Sequence, residues 1–298
     1  MSRSLFTPRI GTLIRAEKGA AAIRPLLPQG FECFALNFGP RPFALDLSRL
    51  ADEVRTVLAG SGTAVSALSF YGNPLAPDDA GRAAIRCWER LIDFAPWFGA
   101  DVVAGFAGRV PGASVEDSLP RFKQVFSALA ARAADCGVRL AFENCPMGGT
   151  WATGDRNIAF NPAAWERMFA AVPAANVGLE WDPSHTLCQL GEPLPQLRRW
   201  VKKIFHLHAK DAQIARAILR REGLLGPTPV SRHRLPGFGE LDWTLIFRAL
   251  RRGGYRGAVD IEGWHDPVYR GPREVAGQVK ALRYLRRCRR RAAMTGGR

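Results

Sequence analysis

Ile204-Phe-His206-Leu-His208-Ala-Lys210-Asp211 is a short apolar run that stops at imidazoles and a carboxylate, and it decides the architecture. Three other stretches repeat the pattern: Arg139-Leu-Ala-Phe-Glu143-Asn144, Val177-Gly-Leu-Glu-Trp-Asp182-Pro-Ser-His185 and Ala258-Val-Asp-Ile-Glu262. In each, β-favouring residues end at a side chain that binds metals well, and polar or turn residues follow. Functional groups supplied by the ends of several strands are how a (β/α)8 barrel builds a site on its C-terminal face. Glu143, Asp182, His208 and Glu262 would offer three oxygen donors and one nitrogen donor. That mix suits one divalent ion (Mn, Mg, Co or Zn) better than a soft thiolate metal.

The same alternation runs along the whole chain. Apolar runs near 8–14, 30–37, 63–70, 100–106, 138–143, 176–182, 203–209 and 257–262 read as strands. Amphipathic stretches near 46–60, 78–98, 116–136, 161–171, 192–201, 242–253 and 272–291 read as helices, with a short one near 16–27. Phe122, Val125, Phe126, Leu129 and Ala133 recur at three- and four-residue spacings and make one apolar helix face, which Gly137 is placed to end. About eight strand–helix units with no Gly/Ser linker predict an α/β protein, a single (β/α)8 TIM barrel over residues 1–298. An open doubly wound sheet would carry a Gly-rich phosphate loop after its first strand, and Ile10-Gly-Thr-Leu-Ile-Arg15 is not one. Long loops are expected at 71–77, 144–160 and 211–240, on the face where function usually sits.

Composition narrows the classes further. With 47% hydrophobic residues the chain can bury a sizeable core, which excludes disorder as the default. Nothing in the chain resembles a transmembrane helix, so no membrane span is expected. Residues 1–8 lack the apolar core of a secretion signal, and the six cysteines form no CxxC pair, so reduced thiols in a cytoplasmic protein are expected. The net charge of +15 is unusual. Much of it falls in helix-like stretches and in a basic C-terminal tail at about 284–298, read as solvated helix faces and a frayed terminus. Nucleic-acid binding would want aromatics interleaved with these basic residues, and the tail offers only Tyr284.

Taken singly, each strand-end group has a bland explanation. A carboxylate there often caps the next helix, and a strand histidine is often a satisfied core residue. As a set, three carboxylates in one partly buried mouth would repel one another unless a cation neutralises them.

Several further motifs join these: Tyr71-Gly-Asn73-Pro-Leu75, Trp181-Asp182-Pro-Ser-His185, Leu235-Pro-Gly237-Phe-Gly239-Glu-Leu-Asp242-Trp243 and Gly254-Tyr-Arg-Gly257. Over most of its length the chain resembles the xylose-isomerase-like TIM-barrel superfamily of sugar phosphate isomerases and epimerases. That superfamily also includes ketose 3-epimerases, inosose dehydratases and endonuclease IV. The resemblance implies that Glu143, Asp182, His208 and Glu262 hold the metal and that Glu143 and Glu262 also move the substrate proton. It implies that His185 binds a substrate oxygen, as does one of Arg232, His233 and Arg234, with Lys210 and Asn73 as further substrate contacts.

The implied function is a metal-dependent isomerase or epimerase that abstracts a proton α to the carbonyl of a ketose or keto-sugar. The stretch Asn144-Cys-Pro-Met-Gly-Gly149 lacks the further Glu of the ketose 3-epimerases, and 212–231 is longer than their loop. Both point toward a glycoside, keto-sugar or inositol derivative. A lyase acting on a 3-keto-glycoside or inosose begins with the same proton abstraction and stays open. The abasic-DNA nuclease reading needs a trinuclear cluster with histidines from the first half of the barrel. All five histidines lie after residue 180, and Ser231 stands where an acidic ligand is needed. The expected partner is a small-molecule carbohydrate, with no nucleic acid and no membrane; a homodimer is compatible with this reading.

Overall fold

A computed structural model describes residues 8–294. It contains ten strands: β1 (Ile10–Arg15), β2 (Cys33–Asn37), β3 (Ala64–Phe70), β4 (Val102–Gly105), β5 (Arg139–Glu143), β6 (Val177–Trp181), β7 (Ile204–Ala209), β8 (Asp211–Ile214), β9 (Ser231–Arg234) and β10 (Val259–Ile261). All but β8 and β9 pair in parallel and close into an eight-stranded barrel, with β10 hydrogen-bonded to both β7 and β1. Each expected strand is present in the expected order. The chain is a (β/α)8 barrel.

The outer layer comprises α1 (Gly19–Ile23), α2 (Leu47–Leu58), α3 (Asp79–Phe94), α4 (Val115–Asp135), α5 (Pro162–Ala171), α7 (Pro193–Trp200), α9 (Trp243–Arg252) and α10 (Glu274–Met294). Two short helices, α6 (Pro183–Cys188) and α8 (Arg216–Glu222), belong to loops after β6 and β8. The reason α4 forms is local. The Ser114 hydroxyl accepts a hydrogen bond from the Asp117 N–H, and Glu116 and Asp117 place negative charge at the positive end of the helix dipole. Gly137 then takes a left-handed φ of 68°, which ends the helix. The buried face, including Phe122 and Phe126, meets Phe142 of β5 in edge contacts with centroids 5.5 and 4.7 Å apart. Truncating Phe142 would cost about 3–5 kcal/mol.

Strand alternation sorts each β residue to a layer. On β5, Phe142 faces the helices while Ala141 joins the small apolar plug inside the barrel with Leu13, Ala35, Ala67 and Ala104. On β6, Trp181 is fully buried and donates to Gln196 of α7.

Two expectations need correction. The stretch 211–240 is more than a loop: β8 and β9 form an antiparallel hairpin in which Ala212 faces His233, with α8 between the strands. The helix expected near 272–291 is present as α10 and runs on to Met294, so the basic tail expected from about 284 belongs to it, while residues 295–298 lie outside the described residues, as do 1–7 of the N-terminal stretch. Ala281, Leu282, Leu285, Cys288 and Ala292 recur at helical spacing and are buried, so this segment is a barrel helix and not a frayed end. Its charge is tied down as well, because Arg289 makes a two-pronged ion pair with Glu32 at 2.6 and 2.7 Å.

Candidate active site

Glu143 is the last residue of β5, Asp182 follows β6, His208 lies on β7, and Glu262 follows β10. Parallel strands in one barrel bring all four side chains to the C-terminal mouth. One donor atom from each lies within 4.8 Å of the other three, and all four residues are buried. His208 Nδ1 stands 3.0 Å from Glu143 Oε1 and 3.3 Å from Glu262 Oε2. Asp182 Oδ1 also accepts from the Ser184 N–H and so caps α6; the bland and the functional explanations hold together at this residue.

Lys210 enters the same space. Its Nζ lies 2.6 Å from Glu262 Oε2, 2.7 Å from Asp182 Oδ2 and 3.1 Å from His185 Nε2. The mouth opens into a cavity of about 610 Å³, lined by Glu143, His185, Lys210, His233 and Glu262 together with Tyr71 and Trp264. Of the three candidates on β9, only His233 lines it; its Nδ1 is 3.1 Å from the Ser184 hydroxyl. Arg232 is exposed, and Arg234 is engaged with Asp266 at 3.0 Å and Gln213 at 2.9 Å. Asn73 is absent from the lining as well. Its amide donates to the Arg109 and Asp155 carbonyls and its oxygen accepts from the Leu75 and Arg109 N–H groups, so it ties the loops together instead of facing the cavity.

Charge coupling sets the protonation states. Burial opposes ionisation of Glu143, but hydrogen bonds from His185 and His208 and the charge of Lys210 outweigh it and bring its carboxyl down to about 2. Glu262 is held well below the usual range, since Lys210 and His208 overcome the same burial penalty. His208 moves the opposite way: burial disfavours the imidazolium, yet Glu180, Glu143 and Glu262 raise it well above an ordinary histidine. His233 is pushed down to about 4 by burial and by Lys210, which leaves it a neutral ring. Among these groups one atom stands out. Asp182 Oδ2 is buried without a hydrogen bond, its charge met by the ammonium of Lys210.

A second polar layer lies directly beneath. Glu180, His206 and Asp260 each lie on a strand two residues before a mouth residue, and each is fully buried. Both ring nitrogens of His206 face carboxylates at 2.7 Å: Nδ1 to Glu180 and Nε2 to Asp260. Burial disfavours the charged ring, but Asp260 and Glu180 outweigh it and raise His206 above an ordinary histidine, toward the imidazolium in which both nitrogens donate. Sequence reasoning gave no role to Glu180, His206 or Asp260. The signal was period-two alternation, which predicts that the residue two before each inward strand-end group also points inward. Cys145, Trp264 and His265 also line the cavity and had not been singled out.

Comparison with known proteins gives matches of fold and of sequence. The family model described as "Xylose isomerase-like TIM barrel" matches residues 27–288. The uncharacterized protein YfiH of Bacillus subtilis (strain 168) is 25% identical over 73% of this chain and 77% of its own length. The inosose dehydratase of Geobacillus thermodenitrificans (strain NG80-2) is 30% identical, but the alignment spans only 41% of each chain. Among solved structures, the apo form of the 3-keto-D-glucoside 4-epimerase of E. coli superimposes with a TM-score of 0.69 at 18% identity, covering 94% of this chain and 100% of that one. With the match extending over most of the barrel, the chain belongs to the xylose isomerase-like TIM-barrel family.

Proposed function

We propose that this chain is a divalent-metal-dependent enzyme that moves a proton at the carbon next to the carbonyl of a ketose or keto-sugar, as an isomerase or epimerase. The observation that carries the reading is the placement of two ionised carboxylates, Glu143 and Glu262, 3.0 and 3.3 Å from one imidazole nitrogen at the edge of one cavity. The donor set fits a hard divalent ion, and Asp182 Oδ2 is a buried carboxylate oxygen balanced by the Lys210 ammonium at 2.7 Å. A bound ion of this kind would polarise a substrate carbonyl and make the neighbouring C–H more acidic.

The remaining work falls to the chain's own side chains. Glu143 and Glu262 come from β5 and from the end of β10, so they approach a sugar carbon from different sides and one can take the proton that the other returns. Both are ionised at neutral pH and so ready to accept. Lys210 Nζ is a donor within the same mouth, suited to hold a substrate oxygen, and His185 lines the cavity 3.1 Å from it. Tyr71 and Trp264 supply apolar surface for the sugar ring.

Elimination is the second reading, favoured by the stretch of identity to inosose dehydratase and by the Asn144–Gly149 sequence. It shares the proton abstraction and differs in where the charge collapses. The test is a panel of ketoses, 3-keto-glycosides and inososes incubated with protein loaded with Mn, Mg, Co or Zn and followed by NMR. An epimer or aldose supports isomerisation, and an olefinic product assigns the lyase. Turnover unaffected by metal removal would refute both.

A further inference from the structure

The layer under the mouth contains a buried charge that the proposed reaction does not use. Glu180 is fully buried near the C-terminal end of β6, where a leucine would fill the space without any desolvation cost. Its two oxygens are instead saturated. Oε1 takes a hydrogen bond from His206 Nδ1 at 2.7 Å and forms an ion pair with His208 Nε2 at 3.1 Å, while Oε2 accepts the Tyr71 hydroxyl at 2.9 Å, whose oxygen is itself 3.4 Å from that Nε2. Glu180 therefore grips His208 on the side opposite the mouth, since His208 Nδ1 faces Glu143 and Glu262.

The grip is anchored from below. His206 bridges Glu180 to Asp260, and Asp260 takes further hydrogen bonds from the Ser66 hydroxyl and the Cys33 thiol. Gly11 on β1 is part of the same device. A Cβ there would collide with the Asp260 carboxylate and the Cys33 sulfur, so only glycine leaves room for the anchor. Side chains from β2, β3, β6, β7 and β10 thus converge on one rigid polar chain ending at His208.

We propose that Glu180 is a positioning residue for the metal site: its carboxylate holds the Nε2–H of His208 and so presents Nδ1 as the ligand nitrogen. This rests on the metal reading of Glu143, Asp182, His208 and Glu262 given above. A histidine ligand works as a donor only if its other nitrogen keeps the proton, and a carboxylate behind it fixes both tautomer and ring orientation. The lower layer is then an extension of the site and more than a polar plug in the barrel.

Two measurements on the full-length protein test this. In zinc-loaded wild type labelled with 15N-histidine, with His208→Gln to assign the signal, His208 should show a protonated Nε2 and a zinc-bound Nδ1. Zinc bound through Nε2, or an Nε2 without a proton, overturns the proposal. In Glu180→Gln, the zinc dissociation constant measured by chelator competition should rise roughly 10- to 100-fold. A variant that loses thermal stability yet keeps the wild-type constant within threefold shows a purely structural role and also overturns it. Should that variant fail to fold, the wild-type spectrum decides alone. Wild-type protein that takes up no zinc, manganese or cobalt removes the metal reading and this inference together, whereas zinc on the wrong nitrogen removes this inference alone.

Discussion

The Lys210 ammonium lies 2.6 Å from the Glu262 carboxylate, inside the oxygen set that a divalent ion would share. Two like charges a few ångströms apart in a buried mouth repel by several kcal/mol even at an effective dielectric near 20. Lys210→Met should therefore tighten manganese binding by roughly tenfold or more, about 1.4 kcal/mol, while turnover falls because a donor to substrate is lost. Equilibrium dialysis and steady-state rates on the same preparation check both halves. Weaker binding in the variant would show that Lys210 holds the carboxylates in place instead.

Metal binding should release protons. In the metal-free protein the carboxylates around His208 overcome burial and raise it well above the usual histidine range, so it is charged at pH 7. A ligand nitrogen must be free of its proton, so ion binding at that pH expels one. The sign follows: affinity rises with pH, approaching tenfold per unit while His208 is the proton displaced, and falls on acidification. Calorimetry in buffers of different ionisation heat measures the release, and binding with no proton released at pH 7 would contradict it.

Much of this molecule was legible in its sequence, and the losses have physical causes. The barrel could be read because each β5, β6, β7 and β10 segment is an apolar run closed by a charged or imidazole residue, and burial on both faces of a parallel sheet demands such runs. Glu143, Asp182, His208 and Glu262 were readable for the same reason, and the fold does bring them together. Glu180 and Asp260 were hidden inside those runs, where they read as ordinary strand positions. The β8–β9 hairpin went unseen because Ser231-Arg-His-Arg234 carries no apolar alternation. Asn73 and Arg234 sit near the mouth in sequence motifs, yet their hydrogen-bonding groups are occupied by loop backbone and by Asp266.

The C-terminal helix offers a stability test. Leu285 is fully buried in α10, where the helix expected from sequence overlaps the basic tail expected to fray. Leu285→Ala should cost about 2–4 kcal/mol in denaturant unfolding through the lost burial and the cavity left behind. A change under about 0.5 kcal/mol, the size expected for a surface position, would contradict the packing of α10 against the barrel.

Basic charge does not imply nuclease activity. Ser231 stands where an acidic ligand would be needed, and the five histidines all lie in the second half of the chain. No trinuclear zinc cluster is expected to form beside a phosphate. An abasic duplex incubated with zinc-loaded protein should remain intact in a gel assay; metal-dependent nicking lost in Glu143→Gln would reverse this conclusion.

Solvent-deuterium exchange is the most direct measurement on the proton abstraction by Glu143 and Glu262. A ketose, 3-keto-glycoside or inosose that the metal-loaded protein accepts should gain deuterium from D2O at the carbon next to its carbonyl, read in the epimer or aldose or, for elimination, in recovered substrate, when abstraction is reversible and the proton is shared with solvent. Glu143→Gln and Glu262→Gln keep the side-chain shape and remove the base, so each should slow exchange by roughly 100-fold or more once metal occupancy is matched. Turnover that persists at the wild-type rate in the double variant would contradict the account.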